Sequence, residues 1–178
     1  MLNLIATFLV MTIPMQNPIQ NEVSMPVVCK TMEAPVHTLA IEANTLSKKE
    51  IKKILIRELG EEGLHDLVMV VVAEADGESV KGKRLVIDTV LNRTETEGFH
   101  NTISEVVWAP NQFTGMNEDR LSRCTYDEKV ERLIYEELVN RTNYEVLYFR
   151  TEKYSNYGEP LFKEGGHYFS GNKLDAES

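Results

Sequence analysis

Hydrophobic and polar positions divide the chain into stretches of different character. Leu2 to Ile13 are almost wholly apolar, and prolines follow at positions 14, 18, 26 and 35. The apolar stretch has the length of a signal-peptide core and is shorter than a bilayer span, although no Lys or Arg precedes Lys30. Residues 1–25 are therefore expected to be an apolar leader, read as an export signal or signal-anchor. A start-site artefact and a peripheral helix are the competing readings. Residues 26–46 read as a linker, and residues 47–178 as the folded domain.

Helical spacing begins at Ser47. Ser47-Lys48-Lys49-Glu50 forms a capping box, and Ile51, Ile54, Leu55 and Glu58 continue the pattern up to Gly60. Leu67 to Ala73 are apolar without a break, which fits a buried helix or a buried strand. This run passes without a turn signal into Glu74-Ala75-Asp76-Gly77-Glu78, where Asp76-Gly77 suggests a helix end. Val80 to Asn92 predicts a helix with Leu85, Val86, Val90 and Leu91 on one side. Two more capping boxes, Thr102 to Glu105 and Thr125 to Glu128, open further helices. The second of these buries Val130, Leu133, Ile134 and Leu138. After Asn143 the period shortens, so Val146 to Phe149 reads as a strand with His167 to Phe169 as its partner. The predicted class is α+β, several helices packed on a small, late β-sheet.

Composition narrows the function classes. The 178 residues carry a net charge of −9, which disfavours non-specific nucleic-acid binding. Two cysteines, Cys29 and Cys124, permit one disulfide but exclude a cysteine-based zinc cage. No uncharged apolar run is long enough for a standard membrane span. There is no serine nucleophile elbow and no glycine-rich phosphate loop.

Glu74 is the leading candidate for chemistry. A carboxylate that follows seven apolar residues is expected at the rim of a core, where loss of water favours the protonated acid. That form donates a proton to a leaving oxygen. Glu78 would share its face if the helix continued, although Glu pairs at this spacing are commonly a solvated surface. His65, His100 and His167 include no pair at one-turn spacing, so no metal ligand and no cofactor is assigned. Trp108 and most of the aromatic residues fall in the second half, many beside Gly, Asn and Pro, as in a sugar or peptide groove. Core packing is the alternative for each of them.

Taken together these segments resemble the SleB-type cell wall hydrolases, the spore cortex-lytic enzymes and their bacterial and phage relatives. The matching blocks are Ala73 to Glu78, Lys81-Gly82-Lys83, Val90 to Arg93, Phe99 to Val107, Gln112-Phe113-Thr114, Leu147-Tyr148-Phe149 and Gly165 to Phe169. They occur in the family's order over about residues 66–170. The resemblance implies a mostly helical, lysozyme-like or lytic-transglycosylase-like catalytic domain that cuts peptidoglycan between N-acetylmuramic acid and N-acetylglucosamine. It implies Glu74 as the catalytic glutamate, Glu78 in a supporting role, and Asn92, Gln112, Phe113, Tyr148 and His167 as groove residues. A tryptophan usual between the last two blocks is absent, with Tyr157 near its place, and residues 14–46 are too short to hold the family's separate wall-binding repeat.

A lytic transglycosylase needs only Glu74, whereas a muramidase needs a second carboxylate, for which Glu78 is the candidate. A zinc-dependent amidase using His100 or His167 and a non-catalytic wall-binding protein are the alternatives from other classes. The expected partner is the glycan strand, met outside the cytoplasm by export or by release during phage lysis, and the protein is expected to be a monomer. After export, Cys29 and Cys124 could pair.

Overall fold

The computed structural model describes residues 46–172. The expectations for residues 1–25 and most of 26–46 lie outside this range, as does Cys29. Cys124 is half-buried against the main core.

Among the described residues, five helices precede a three-stranded antiparallel sheet, giving the mixed, mostly helical α+β class. The first, α1 (Lys48–Ala75), starts on the Ser47 capping box, with the Glu50 carboxylate accepting from Ser47 N at 2.8 Å. Gly60 interrupts it at φ 75° and ψ 165°, a left-handed conformation that suits glycine. The sequence pattern stops at Gly60, but the helix resumes beyond it. The arm after the break carries the apolar run, which is therefore helix and not strand. Leu67, Val68, Val70 and Val71 are fully buried there, and each contributes roughly 1.5–3 kcal/mol.

The second helix, α2 (Val80–Glu95), runs three residues past its predicted end. Ser79 caps it, accepting from Gly82 N at 3.0 Å. Two short helices follow, α3 (Ile103–Trp108) on its Thr102 cap and α4 (Glu118–Leu121). The last helix, α5 (Glu128–Val139), begins two residues later than the Thr125 box predicts, because Asp127 takes the cap and accepts from Lys129 N at 2.9 Å. Tyr126 is drawn away instead, its hydroxyl donating to Glu131 at 2.7 Å. Val130, Ile134 and Tyr135 face the core shared with α1 and α2.

The sheet contains β1 (Val146–Arg150), β2 (Glu159–Glu164) and β3 (His167–Gly171) in the order β1-β3-β2. The predicted pairing is present, with Phe149 opposite Phe169. The unpredicted strand is β2, an edge strand of sequence Glu-Pro-Leu-Phe-Lys-Glu. Its proline is tolerated because one side of an edge strand needs no partner.

Polar side chains on one face of α2 fix where β1 begins. Asp88 Oδ2 accepts from Asn143 N at 2.9 Å. Asn92 Nδ2 donates to Asn143 O at 3.0 Å and to Val146 O at 2.9 Å. Arg93 Nε then donates to Leu147 O at 2.7 Å. These contacts satisfy backbone groups at the start of β1 that would otherwise be buried without a partner. Leu85 of α2 meets Val146 and Phe169 in a second small core beneath the sheet.

Candidate active site

A groove of about 840 Å³ opens where the end of α1, the loops after α2 and α3, and the upper edge of the sheet converge. Glu74 stands in its wall. The side chain is half-exposed while Ala73 and Ala75 on either side are buried, so the backbone at Glu74 is held on both flanks. Gly115 N donates to Glu74 Oε1 at 2.6 Å, and Oε2 has no hydrogen-bond partner among the described residues. Glycine at 115 allows this close approach. A Cβ there would lie 3.0 Å from both Ala73 Cβ and Glu74 Oε1. Arg120 Nε donates to Ala73 O at 3.1 Å, satisfying a carbonyl in the last turn of the helix.

Glu78 takes a different place. Because α1 ends at Ala75, the two carboxylates do not share a helix face, and Glu78 is not part of the groove wall. Both its oxygens accept from Gly166 N, at 3.1 and 3.3 Å. The turn between β2 and β3 is built around that carboxylate. Gly165 has φ +53°, and a Cβ there would collide with Glu78 Oε2. Ser79 Oγ donates to Glu164 at 3.1 Å and Lys81 Nζ pairs with the same carboxylate at 2.8 Å. That pairing, ahead of the Ser79 hydrogen bond, holds the Glu164 carboxyl below the usual range. The segment 78–81 thus grips the hairpin that carries His167.

Tyr148, Gln112 and His167 also line the groove. The Tyr148 ring is 5.9 Å between centroids from that of Phe99 and 5.9 Å from that of Tyr157. Tyr157 is 71% exposed, an aromatic face open to a ligand. Gln112 is exposed. His167 is buried among Phe149 and Phe169, with Nδ1 buried and unpartnered. Asn92 and Phe113 are not brought to the surface of the groove. The amide of Asn92 belongs to the clamp, its Oδ1 accepting from Arg141 at 3.2 Å. Phe113 is a core residue, 6.0 Å from the Phe149 ring.

The sequence reading missed Arg93. It lines the groove although 3% exposed, with its guanidinium facing the rings of Phe99, Phe113 and Tyr148 at 5.3, 4.8 and 5.5 Å. Burial pulls its pKa down to about 10, so it stays charged at neutral pH. Its place in the Val90 to Arg93 block was the available signal. Three cations, Arg93, Arg150 and Lys153, face three carboxylates, Glu74, Glu97 and Glu152, around the groove. The site is formally neutral in a chain of net charge −9. Among the described residues no three His, Cys, Asp or Glu side chains converge on a common point suited to a metal ion. No described helix is long and apolar enough to cross a membrane.

The profile of the family described as Cell Wall Hydrolase matches residues 77–170, beginning just after Glu74 and including the other six predicted site residues. No curated protein matches. Among solved structures, the catalytic domain of the germination-specific lytic transglycosylase SleB from Bacillus anthracis is similar, with a TM-score of 0.53 and 22% identity. The match covers 62% of this chain and 94% of that one. The catalytic domain of the Bacillus cereus SleB protein is similar with a TM-score of 0.51 and 23% identity, over 62% of this chain and 91% of that one. At these identities the likeness establishes a shared fold.

Proposed function

The chain belongs to the cell wall hydrolase family, and from that membership we propose that it cleaves peptidoglycan glycan as a lytic transglycosylase, with Glu74 as its single catalytic carboxylate. The bond cut is that between N-acetylmuramic acid and N-acetylglucosamine, and the site of action is the cell wall. The observation that carries this reading is the setting of Glu74. It is a carboxyl in the last turn of α1 between the buried Ala73 and Ala75, open to a large groove, with Oε1 held by Gly115 N and Oε2 unbonded among the described residues.

Glu74 donates its proton to the glycosidic oxygen as the bond to muramic acid C1 breaks through an oxocarbenium-like state. The resulting carboxylate then takes the proton of the muramic acid's own C6 hydroxyl, whose oxygen closes on C1. The products are a chain end with a free hydroxyl and a 1,6-anhydro sugar. Glu74 regains its proton and no water is consumed. Tyr148 and Tyr157 supply ring faces against which a sugar can stack.

Glu78 is occupied by the hairpin turn, so a muramidase would draw its second carboxylate from Glu97 or Glu152 in the groove wall. The zinc amidase alternative lacks a donor set among the described residues. Mass spectrometry of products from purified peptidoglycan, treated with wild type and with Glu74→Gln, decides among these readings. Anhydro-muropeptides from wild type alone are the expected result. Reducing muramic acid ends would replace the transglycosylase by a muramidase, and free stem peptides would replace it by an amidase. Full activity in Glu74→Gln would remove Glu74 from the chemistry.

A further inference from the structure

We propose that Arg93 forms a carboxylate-binding subsite in the groove, which takes a carboxylate borne on the lactyl side of muramic acid. The inference rests on the glycan strand being the substrate, and it names the substituent that the groove recognises.

The other half-buried arginines of α2 and its neighbours have acidic partners. Arg84 pairs with Glu136 and Glu137, and Arg141 with Glu95. Arg93 has none among the described residues. Its Nε is spent on Leu147 O, Nη1 is buried with no hydrogen-bond partner, and Nη2 makes no hydrogen bond among the described residues. Aromatic faces lie around the guanidinium and offset part of the cost of burying a charge. They cannot accept the in-plane hydrogen bonds of the outer nitrogens. Nη1 is shut away from solvent, so a ligand in the groove meets the guanidinium at Nη2, where a carboxylate accepts a charge-assisted hydrogen bond and brings the missing counter-charge. Arg150 and Lys153 stand on the same groove, matched there by the carboxylates of Glu74, Glu97 and Glu152, so the uncompensated charge is that of the buried Arg93.

N-acetylated sugars are uncharged, so a glycan strand offers carboxylates only through the lactyl group. Where the stem peptide is attached, the carboxylates are those of the peptide. Where it has been removed, the lactyl carboxylate itself is free. Both sources present the same chemistry to Arg93.

The test uses the full chain as Glu74→Gln, which does not turn over in the proposed mechanism, and isothermal titration with soluble glycan strands. Four ligands are compared: strands with stems, strands stripped of stems, and each of these after coupling its carboxylates to ammonia as amides. Amidation is expected to weaken binding about tenfold or more in at least one pair, the loss of a charge-assisted hydrogen bond and its counter-charge. The pair that responds identifies the source. Equal affinity before and after amidation in both pairs would overturn the subsite. Loss of discrimination in Arg93→Lys, with the melting temperature within a few degrees of the parent, ties the effect to the Arg93 guanidinium. If that variant fails to fold, the comparison of ligands on the parent protein still decides. Cleavage without discrimination would sink the subsite and leave the proposed activity standing. Discrimination without cleavage by wild type would do the reverse, and no binding to any strand would overturn the subsite.

Discussion

Replacing Asp88 by Asn should make stability less dependent on pH. Asp88 is fully buried on α2, with Oδ2 bound by Asn143 N and Oδ1 shut away from solvent. Burial first, and then the adjoining Glu137, push its pKa up from 3.8 to about 9. Burial would raise Glu137 as well, but hydrogen bonds from Asp88, Arg84 and Thr142 outweigh it and hold that carboxyl below its ordinary value. The pair therefore keeps one proton, on Asp88, through the neutral range. In the unfolded chain that proton leaves near pH 3.8. Stability from this group is complete below that pH and declines as pH rises, until the folded state also ionises near pH 9. The slope is at most ~1.4 kcal/mol per pH unit, or about 4 kcal/mol across roughly three units. Asn at 88 keeps an acceptor for Asn143 N and offers Glu137 a permanent donor, so the variant lacks the slope. Urea unfolding of both proteins at pH values from about 5 to 8 measures it. Asp88→Asn should gain on wild type steadily as pH rises, and general charge effects largely cancel in the difference. A difference that stays constant with pH would refute a shared proton.

Two further outcomes follow from the groove and its supports. Gly115→Ala adds a methyl group against Ala73 and Glu74 Oε1, so lytic activity should fall about tenfold or more. Its circular dichroism should match wild type, and unchanged activity would show that Glu74 accommodates the added methyl group without loss of function. Glu78→Gln keeps an acceptor for Gly166 N, so turbidity assays should find it lytic, whereas Glu78→Ala should lower the melting temperature by a few degrees. Inactive but stably folded Glu78→Gln would return Glu78 to the chemistry.

The helices were legible wherever a cap and an apolar face coincided, as at Ser47 and along Val130 to Leu138. The run from Leu67 to Ala73 was ambiguous because a segment buried on all sides has no polar face to reveal its period. Pro160 and the charges of β2 concealed an edge strand, since such a strand is defined by pairing with β3 and not by its own pattern. At the site, the rim position of Glu74 could be read from the chain alone. The division of labour within the motifs could not. Asn92 and Phe113 stand in blocks beside groove residues, yet one is consumed by the backbone of β1 and the other by the core. Only the fold shows Glu78 meeting a turn 88 positions away.

That last contact gives the site a common fate. Four positions separate Glu74 from Glu78, and Glu78 is fastened to the turn that leads into His167. The outer strand of that hairpin, β2, is the least buried of the three and has a neighbour on one side only. On warming, fraying would start there and travel through the turn toward Glu74 while the interior of α1 is still packed. Loss of activity would then precede loss of helix, and a heated sample would lose its enzyme before it lost its fold.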